Sequence, residues 1–599
     1  MVRNEAVPHS AEWENSMPTA FHSLGVVYFS MEIALEPTIP TYAGGLGVLA
    51  GDTLRSAADM GLPMSAVTLL HRKGYFEQHL DAAGNQTESP SMWHPEEVLE
   101  PLDARATIAI NGEKVAIRAW QYLVRGRTGH VVPVYLLDTS VLENSDFARS
   151  LTDSLYGGDD HYRLCQEAVL GLGGVAMLRA LNYLHVMTYH MNEGHPALLA
   201  LGLLEEHLGG KSYSQATDED IMHVRRKCVF TTHTPVPAGH DQFAVWQVKR
   251  ALGEQHTATL ENSGSMPDGV LNMTDLALRF SHYINGVAMQ HGEVSRDMFP
   301  NYSVRAITNG VHAATWTSAA FQKLYDRHIP EWRYDNLYFR YAIGIPLSEI
   351  RAAHTEAKKL LIDEIRTNTG VALEPSVFTI GFARRAAAYK RPDFLFSDIE
   401  RLRAIAQDAG PIQLVFGGKA HPQDEAGKEQ IRRVFQAMST LKESIRSVYV
   451  EDYEMRWSAL MTSGVDLWLN TPQRPHEASG TSGMKAALNG VPSFSVPDGW
   501  WLEGHVEGAT GWDIGREEIS ETPADEIASL YEKLKYVIVP MFYGRPQRYG
   551  EVMRLAIALN ASFFNTQRML SQYVLDAYFD GRGSPLRRVL AENRRTGAA

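Results

Sequence analysis

The chain has 599 residues, 44% hydrophobic and 21% charged, with a formal net charge of −14. That length is enough for two or more domains with substantial cores, in an ordinary globular balance. The acidic excess argues against a sequence-independent nucleic-acid binder, which needs a basic footprint, and leaves neutral polymers open as partners.

In chain order, Met1 to Ala6 lacks an apolar leader, so a cytoplasmic protein is expected. Residues 26–30 read as a buried strand. Gly44-Gly45-Leu46-Gly47 then opens a helix over 48–60. Such a turn lets backbone approach an anion with a helix dipole behind it, and it serves equally as a plain structural turn. The richest apolar stretch, 168–184, is interrupted by Arg179 and is too short to span a bilayer, so no membrane association is expected. Cys165 and Cys228 are the only cysteines, which supports neither a disulfide framework nor a zinc knuckle.

Residues 185–190 and 228–232 read as strand ends feeding polar loops. These are Asn192-Glu193-Gly194-His195-Pro196 and Thr231-Thr232-His233-Thr234-Pro235. Glu193-x-His195 on a loop matches no metal-ligand spacing, so no metal is expected. Hydrogen-bonded core histidines and hydroxyl-binding groups lining a polar cleft remain as alternatives. Thr308-Asn309-Gly310 carries a turn signal. A domain boundary near Trp316 divides 1–315 from 316–562. A helix over 347–366 follows, with Ile350, Ala353, Ala357, Leu360, Leu361 and Ile365 at helical spacing.

The last third alternates strands (377–383, 412–416, 447–450, 465–469, 493–496) with helices (393–407, 424–438, 455–462). That rhythm predicts an α/β class with a doubly wound parallel sheet, ligands sitting beyond the carboxyl ends of the strands. From about residue 563 an Arg-rich helical tail is expected to cross back onto the first domain.

Two segments carry chemistry. Arg384-Arg385-Ala386-Ala387-Ala388-Tyr389-Lys390-Arg391 places four cations within eight residues at a strand end. Arginine forks and a lysine point charge suit a phosphate there, and a solvated basic face is the plain alternative. After strand 465–469, the run from Pro475 through Glu477, Ser479, Gly480, Thr481 and Ser482 reaches a helix start at Met484-Lys485. Backbone N–H groups at such a start favour an anion, and a lysine one turn inside can hold an aldehyde cofactor as a Schiff base. Many sugar transferases of similar build carry a second acidic residue where this chain has Lys485. Trp468, Trp500 and Trp501 read as core.

Together these segments resemble the α-glucan (glycogen/maltodextrin) phosphorylases, GT-B type glycosyltransferases in which two Rossmann-like domains face a central cleft. The resemblance spans about residues 26–515. Ala387, Ala388, Glu454 and Asp498-Gly499-Trp500-Trp501 match the shorter bacterial and archaeal type. It implies pyridoxal 5′-phosphate on Lys485, with Thr481, Ser482, Tyr453 and Arg384 around the cofactor. It implies Arg385 and Lys390 for substrate phosphate, with Tyr389 beside them and Glu477, Ser479 and Gly480 for glucose. Gly44, Gly45, Leu46, Gly47, Glu193, His195, His233 and Asn309 complete the implied site. The implied reaction is retaining phosphorolysis of terminal α-1,4-linked glucose of glycogen or maltodextrin. Inorganic phosphate yields α-D-glucose 1-phosphate, the cofactor phosphate donating and accepting the proton. A homo-oligomer stays open. A nucleotide-sugar glucosyltransferase would need an acid in place of Lys485. A degenerate glucan-binding protein would not need Lys485, Arg385, Lys390 and Glu477 all intact.

Overall fold

Val26–Ser30 and Phe378–Ala383 are buried at every residue, as strands covered on both faces must be. In the computed structural model, which describes residues 25–211, 215–236, 239–515 and 522–578, each lies at the heart of its own sheet. The first sheet has nine strands, in the order Val304–Ala306, Tyr283–Gly286, Cys228–Thr231, Thr188–Asn192, Val26–Ser30, Met64–Leu69, Val131–Asp138, Glu113–Arg125, Glu100–Ile110. It is parallel up to Val131–Asp138 and antiparallel across the last two strands. The second sheet has six parallel strands, in the order Arg446–Val450, Ile412–Gly417, Phe378–Ala383, Leu467–Asn470, Ser493–Ser495, Gly511–Asp513.

Among the parallel strands of each sheet the order reverses at one point, and this places the loops of interest. The reversal falls between Val26–Ser30 and Thr188–Asn192 in the first sheet, and between Phe378–Ala383 and Leu467–Asn470 in the second. Loops leaving the carboxyl ends at such a point diverge and leave a crevice. From these ends come Glu32 and the glycine turn, Asn192 to His195, the basic run Arg384 to Arg391, and the chain leading to Glu477.

The two sets of loops touch. The Tyr42 hydroxyl accepts the Met455 N–H at 3.0 Å. Gln78 and Asp452 exchange two bonds at 2.9 and 3.0 Å, and Gly499 N–H donates to Gln290 Oε1 at 3.2 Å. The helix Thr566–Tyr573 and the turn after it return to the first sheet. There Met569, Leu570, Tyr573, Ala577 and Tyr578 share a core with Val26, Tyr28 and Leu49. Tyr578 also bonds His190 Nδ1 at 2.7 Å. The rest of the expected tail, 579–599, lies outside the described residues.

Some elements differ from the sequence reading. The hairpin Glu100–Ile110 and Glu113–Arg125 was not among the expected strands, although Val115, Ile117 and Ala119 are buried in alternation with more exposed residues. The helix expected over 393–407 begins at Ile399, since the Asp398 carboxylate caps it by accepting Arg401 N–H at 2.9 Å. In helix Leu347–Thr369, Leu361 is buried but Leu360 is 50% exposed, one position off the buried stripe. Trp468, Trp500 and Trp501 are core residues. Among the described residues, no helix is long and apolar enough to cross a membrane.

Candidate active site

The basic run bends sharply out of its strand, and its cations part company. Arg391 leaves the group: its Nε and Nη2 cap the Thr471 and Pro472 carbonyls, and Nη1 pairs with Glu526 at 2.7 Å. Arg384 and Lys390 turn inward onto one oxygen, Glu477 Oε2, at 2.7 and 2.5 Å. Burial alone would raise the Glu477 carboxyl, but the charges of Arg384 and Lys390 overcome it and hold the pKa at about 2. Lys390 also sits 4.4 Å from the Tyr389 ring centre. Arg385 is the exception. It is solvent-accessible, its neighbours are Tyr389, Tyr75 and Tyr156, and no described carboxylate pairs with it. A guanidinium beside phenol hydroxyls and without an internal anion is suited to an external one.

Asp498 belongs with Glu477, and the sequence reading gave it no role. It is 2% exposed; its Oδ2 accepts the Glu477 N–H at 3.0 Å and its Oδ1 the Gly499 N–H at 2.9 Å. Burial, with the Glu477 charge beside it, pushes the Asp498 carboxyl up to about 7 against the pull of those N–H groups. Its folded value lies above the free one, so the stability it lends below pH 4 drains away as pH rises through 7. Asp498→Asn leaves one N–H facing an amide NH₂, an expected cost of about 1–3 kcal/mol. Urea unfolding checks this: the wild-type advantage should be larger at pH 5 than at pH 8. Next to it, Ser479 Oγ is buried and makes no hydrogen bond. Gly480 turns the chain at φ +87°, a conformation that favours glycine.

Lys485 lies in the helix Ser482–Leu488, its backbone N–H on the Thr481 carbonyl at 3.2 Å. Trp468 Nε1 donates to Ser482 Oγ at 3.0 Å, fixing that hydroxyl against the strand. The Lys485 amine is buried, donates to Ser458 Oγ at 3.2 Å, and rests 3.5 Å from the Trp316 ring centre. Burial lowers its pKa to about 8, partly offset by the Asp52 charge. Tyr453 is hydrogen-bonded to the same Ser458, with Arg384 nearby, and burial pushes its phenol up. Glu454 caps the helix Met455–Gly464 through the N–H groups of Arg456 and Trp457.

In the glycine turn, Glu32 Oε2 accepts the Ala43 and Gly44 N–H groups at 2.6 and 3.1 Å, and Oε1 takes the Tyr156 hydroxyl at 2.9 Å. Two donors at the loop entrance thus point at the protein's own carboxylate. Leu46 and Gly47 lie within the helix Gly45–Met60 that the turn opens. A Cβ on Gly44 or Gly45 would meet nothing within 4 Å, whereas one on Gly47 would lie 2.6 Å from Tyr42 Cβ and 2.7 Å from Glu32 Oε2. Gly47→Ala is therefore expected to cost about 1–3 kcal/mol in unfolding free energy, and Gly44→Ala or Gly45→Ala within about 0.5 kcal/mol.

The two polar loops of the first sheet are tied to each other. Asn192 donates to Ser30 Oγ at 3.0 Å, which aims its Oδ1 at His233 Nε2, 2.7 Å away. The ring therefore carries its proton on Nε2, and burial keeps it neutral, with a pKa of about 3. Glu193, at φ +71°, accepts from His233 N–H at 2.8 Å, the Thr234 hydroxyl at 2.9 Å and Gly194 N–H at 3.2 Å. It acts as a staple between the loops. His195 Nε2 lies 3.6 Å from Asp241, which is also 3.8 Å from Arg163, and Glu167 completes a cluster within 4.8 Å. Burial and the Asp241 charge push the Glu167 carboxyl well above the usual carboxylate range. Asn309 sits apart. Its carbonyl takes Arg568 Nη2 at 3.0 Å, and a Cβ on Gly310 would lie 2.2 Å from the Asn565 backbone, the mark of a packing turn.

Two sheets with basic and polar loops at their switch points form a ligand crevice of a kind that several enzyme classes use, the glycosyltransferases among them. The profile of the carbohydrate phosphorylase family matches residues 254–513. Over 92% of its length the chain is 38% identical to the maltodextrin phosphorylase of Thermococcus litoralis, covering 70% of that protein. It is 34% identical to a Mycobacterium tuberculosis glycogen phosphorylase, covering 70% of it, and 33% identical to that of Aquifex aeolicus, covering 86%. The chain belongs to the carbohydrate phosphorylase family.

Proposed function

We propose that this enzyme is an α-glucan phosphorylase. It uses inorganic phosphate to release the terminal α-1,4-linked glucose of glycogen or maltodextrin as α-D-glucose 1-phosphate, with retention. The observation that carries this reading is the Lys485 amine, buried, held by a ring face and one hydroxyl, with a pKa near 8. About a tenth of such amines are neutral and nucleophilic at pH 7, against far fewer for an ordinary lysine.

A pyridoxal 5′-phosphate group fits these residues. Lys485 would hold its aldehyde, and Thr481, Ser482, Tyr453 and Arg384 would surround it. When bound, the cofactor supplies a phosphate able to give and take a proton near neutral pH.

The chain's own groups do the rest. Arg385, exposed and without a carboxylate partner among the described residues, holds the incoming phosphate. Glu477, kept ionised by Arg384 and Lys390, accepts hydroxyls of the terminal glucose. Ser479 Oγ, buried and unpartnered, offers a further polar contact. The Asn192 and His233 loop presents neutral polar groups to the sugar, which suits a ring that gains positive charge as the bond breaks. This reading divides the chain into 1–315, joined by the C-terminal helix, and 316–562.

The test is phosphate-dependent appearance of glucose 1-phosphate from maltodextrin; release of free glucose without phosphate would overturn it. Arg385→Ala is expected to raise the phosphate KM about 10- to 100-fold, as for one charged hydrogen bond, and leave the glucan KM nearly unchanged in initial-rate assays.

A further inference from the structure

The surroundings of Lys485 show how a buried ammonium is kept free of any carboxylate. Trp316 presents its ring face 3.5 Å from Nζ. The other edge of that indole is anchored, its Nε1–H donating to Asp52 Oδ2 at 2.7 Å. Asp52 is fully buried on the helix Gly45–Met60, behind the glycine turn. Its remaining capacity is used as well: Oδ2 takes the His312 N–H at 3.1 Å and Oδ1 takes Arg55 Nη1 at 3.2 Å. Backbone is clamped at the same place, where Asn489 Nδ2 donates to both the Trp316 and Lys485 carbonyls, at 2.8 and 3.0 Å.

We infer that Asp52 is a positioning residue, which acts through the Trp316 indole to hold the Lys485 amine in the orientation needed to capture its aldehyde cofactor. The physical logic is one of substitution. A carboxylate in direct contact would lock Lys485 as an ammonium and cost it nucleophilicity. A ring face steadies the charge more weakly, by about 0.5–2 kcal/mol, and leaves the amine able to lose its proton. The carboxylate is placed one group further out, where it fixes the ring. Phenylalanine in place of Trp316 would keep a ring but have no N–H to anchor it, which gives the indole a specific reason to be there. Asp52 also ties the helix behind the Gly44–Gly47 turn to the lysine, so that loop and amine keep one register.

This inference rests on Lys485 being the cofactor lysine. The experiment follows the rate at which apoprotein takes up pyridoxal 5′-phosphate, read from the growth of its visible absorbance band. Thermal unfolding of each apoprotein serves as the folding control. Asp52→Leu and Trp316→Phe are each expected to slow capture at least about tenfold, since a misoriented amine forfeits its approach geometry. The double variant should be no slower than the slower single one, because both remove the same bond. Asp52→Asn, whose amide oxygen can still accept the indole N–H, should stay within about threefold of wild type. Multiplicative losses in the double variant, or wild-type capture by Trp316→Phe, would overturn the inference even if Asp52→Leu failed to fold. Growth of the same band in Lys485→Ala would remove the underlying reading, and this inference with it.

Discussion

Lys485→Ala is expected to lose the visible cofactor band and to lower phosphate-dependent glucose 1-phosphate release by about 10²–10⁴-fold, the usual share of a positioned proton donor and acceptor. A companion substitution separates chemistry from stability. Lys485 is buried, and burial is the main reason its pKa falls to about 8. For a lysine depressed in the fold, the unfolded chain binds more protons between about pH 8 and 10.5, so stability rises with pH across that window. Below it, the full cost of an ammonium held without a carboxylate persists. Lys485→Met, close in volume and uncharged, should therefore stabilise the apoprotein at pH 7 by about 1–3 kcal/mol while losing activity to the same extent as Lys485→Ala. Urea unfolding of the two apoproteins at pH 7 and pH 10 measures this. A methionine variant less stable than wild type at pH 7, or a gain that does not shrink at pH 10, would contradict the assignment of Lys485 as a residue kept for chemistry at the expense of the fold.

Glu477→Gln is expected to cost about 3–5 kcal/mol of folding stability at pH 7, since it strips the shared anion from two buried cations. Both Arg384 and Lys390 converge on Oε2, within 2.7 and 2.5 Å. Water is nearly excluded there, so neither cation can turn to solvent without opening the loop. The pH dependence has a definite sign. The folded carboxyl titrates at about 2 and the free one near 4.5, so its contribution is complete above pH 4.5 and is lost as pH falls through 2. The gap between wild type and Glu477→Gln should thus close between pH 5 and pH 2. An equal gap at pH 7 and pH 2.5 would mean that the arginine and lysine do not hold the carboxylate as the geometry indicates. In activity assays the same variant should raise the glucan KM, because the hydroxyl-accepting charge is gone.

Much of the second sheet was legible in the sequence. The strands over 377–383 and 412–416 are short runs in which nearly every residue is apolar, and such runs identify themselves without knowledge of their neighbours. The glycine turn before Gly45–Met60 and the loop before Lys485 were legible for the same reason, since glycine and helix-start signals act over a few residues. The hairpin 100–125 was not assigned although Val115, Ile117 and Ala119 alternate with Lys114, Ala116 and Arg118, because it stands outside the strand–helix rhythm that marks the other strands. Asp498, by contrast, carried no signal. An aspartate beside a glycine reads as a turn, and only its contact with the Glu477 N–H gives it a second meaning.

Sequence by itself determined which residue types stand at the strand ends: the cations from Arg384 to Arg391, Glu477, Lys485, and the Asn and His loops. Those are local facts, set by apolar runs and turn residues a few positions apart. Only the tertiary structure decided how the charges are divided. Glu477 takes Arg384 and Lys390, leaving Arg385 open, and its bond to Lys390 joins residues 87 positions apart. Asp52 reaches Trp316 across 264 positions to set the ring beneath Lys485. Charge and pKa depend on burial and on the nearest few groups in space. Strands far apart in sequence bring those groups together at the switch points of the two sheets, so no local pattern could have specified them.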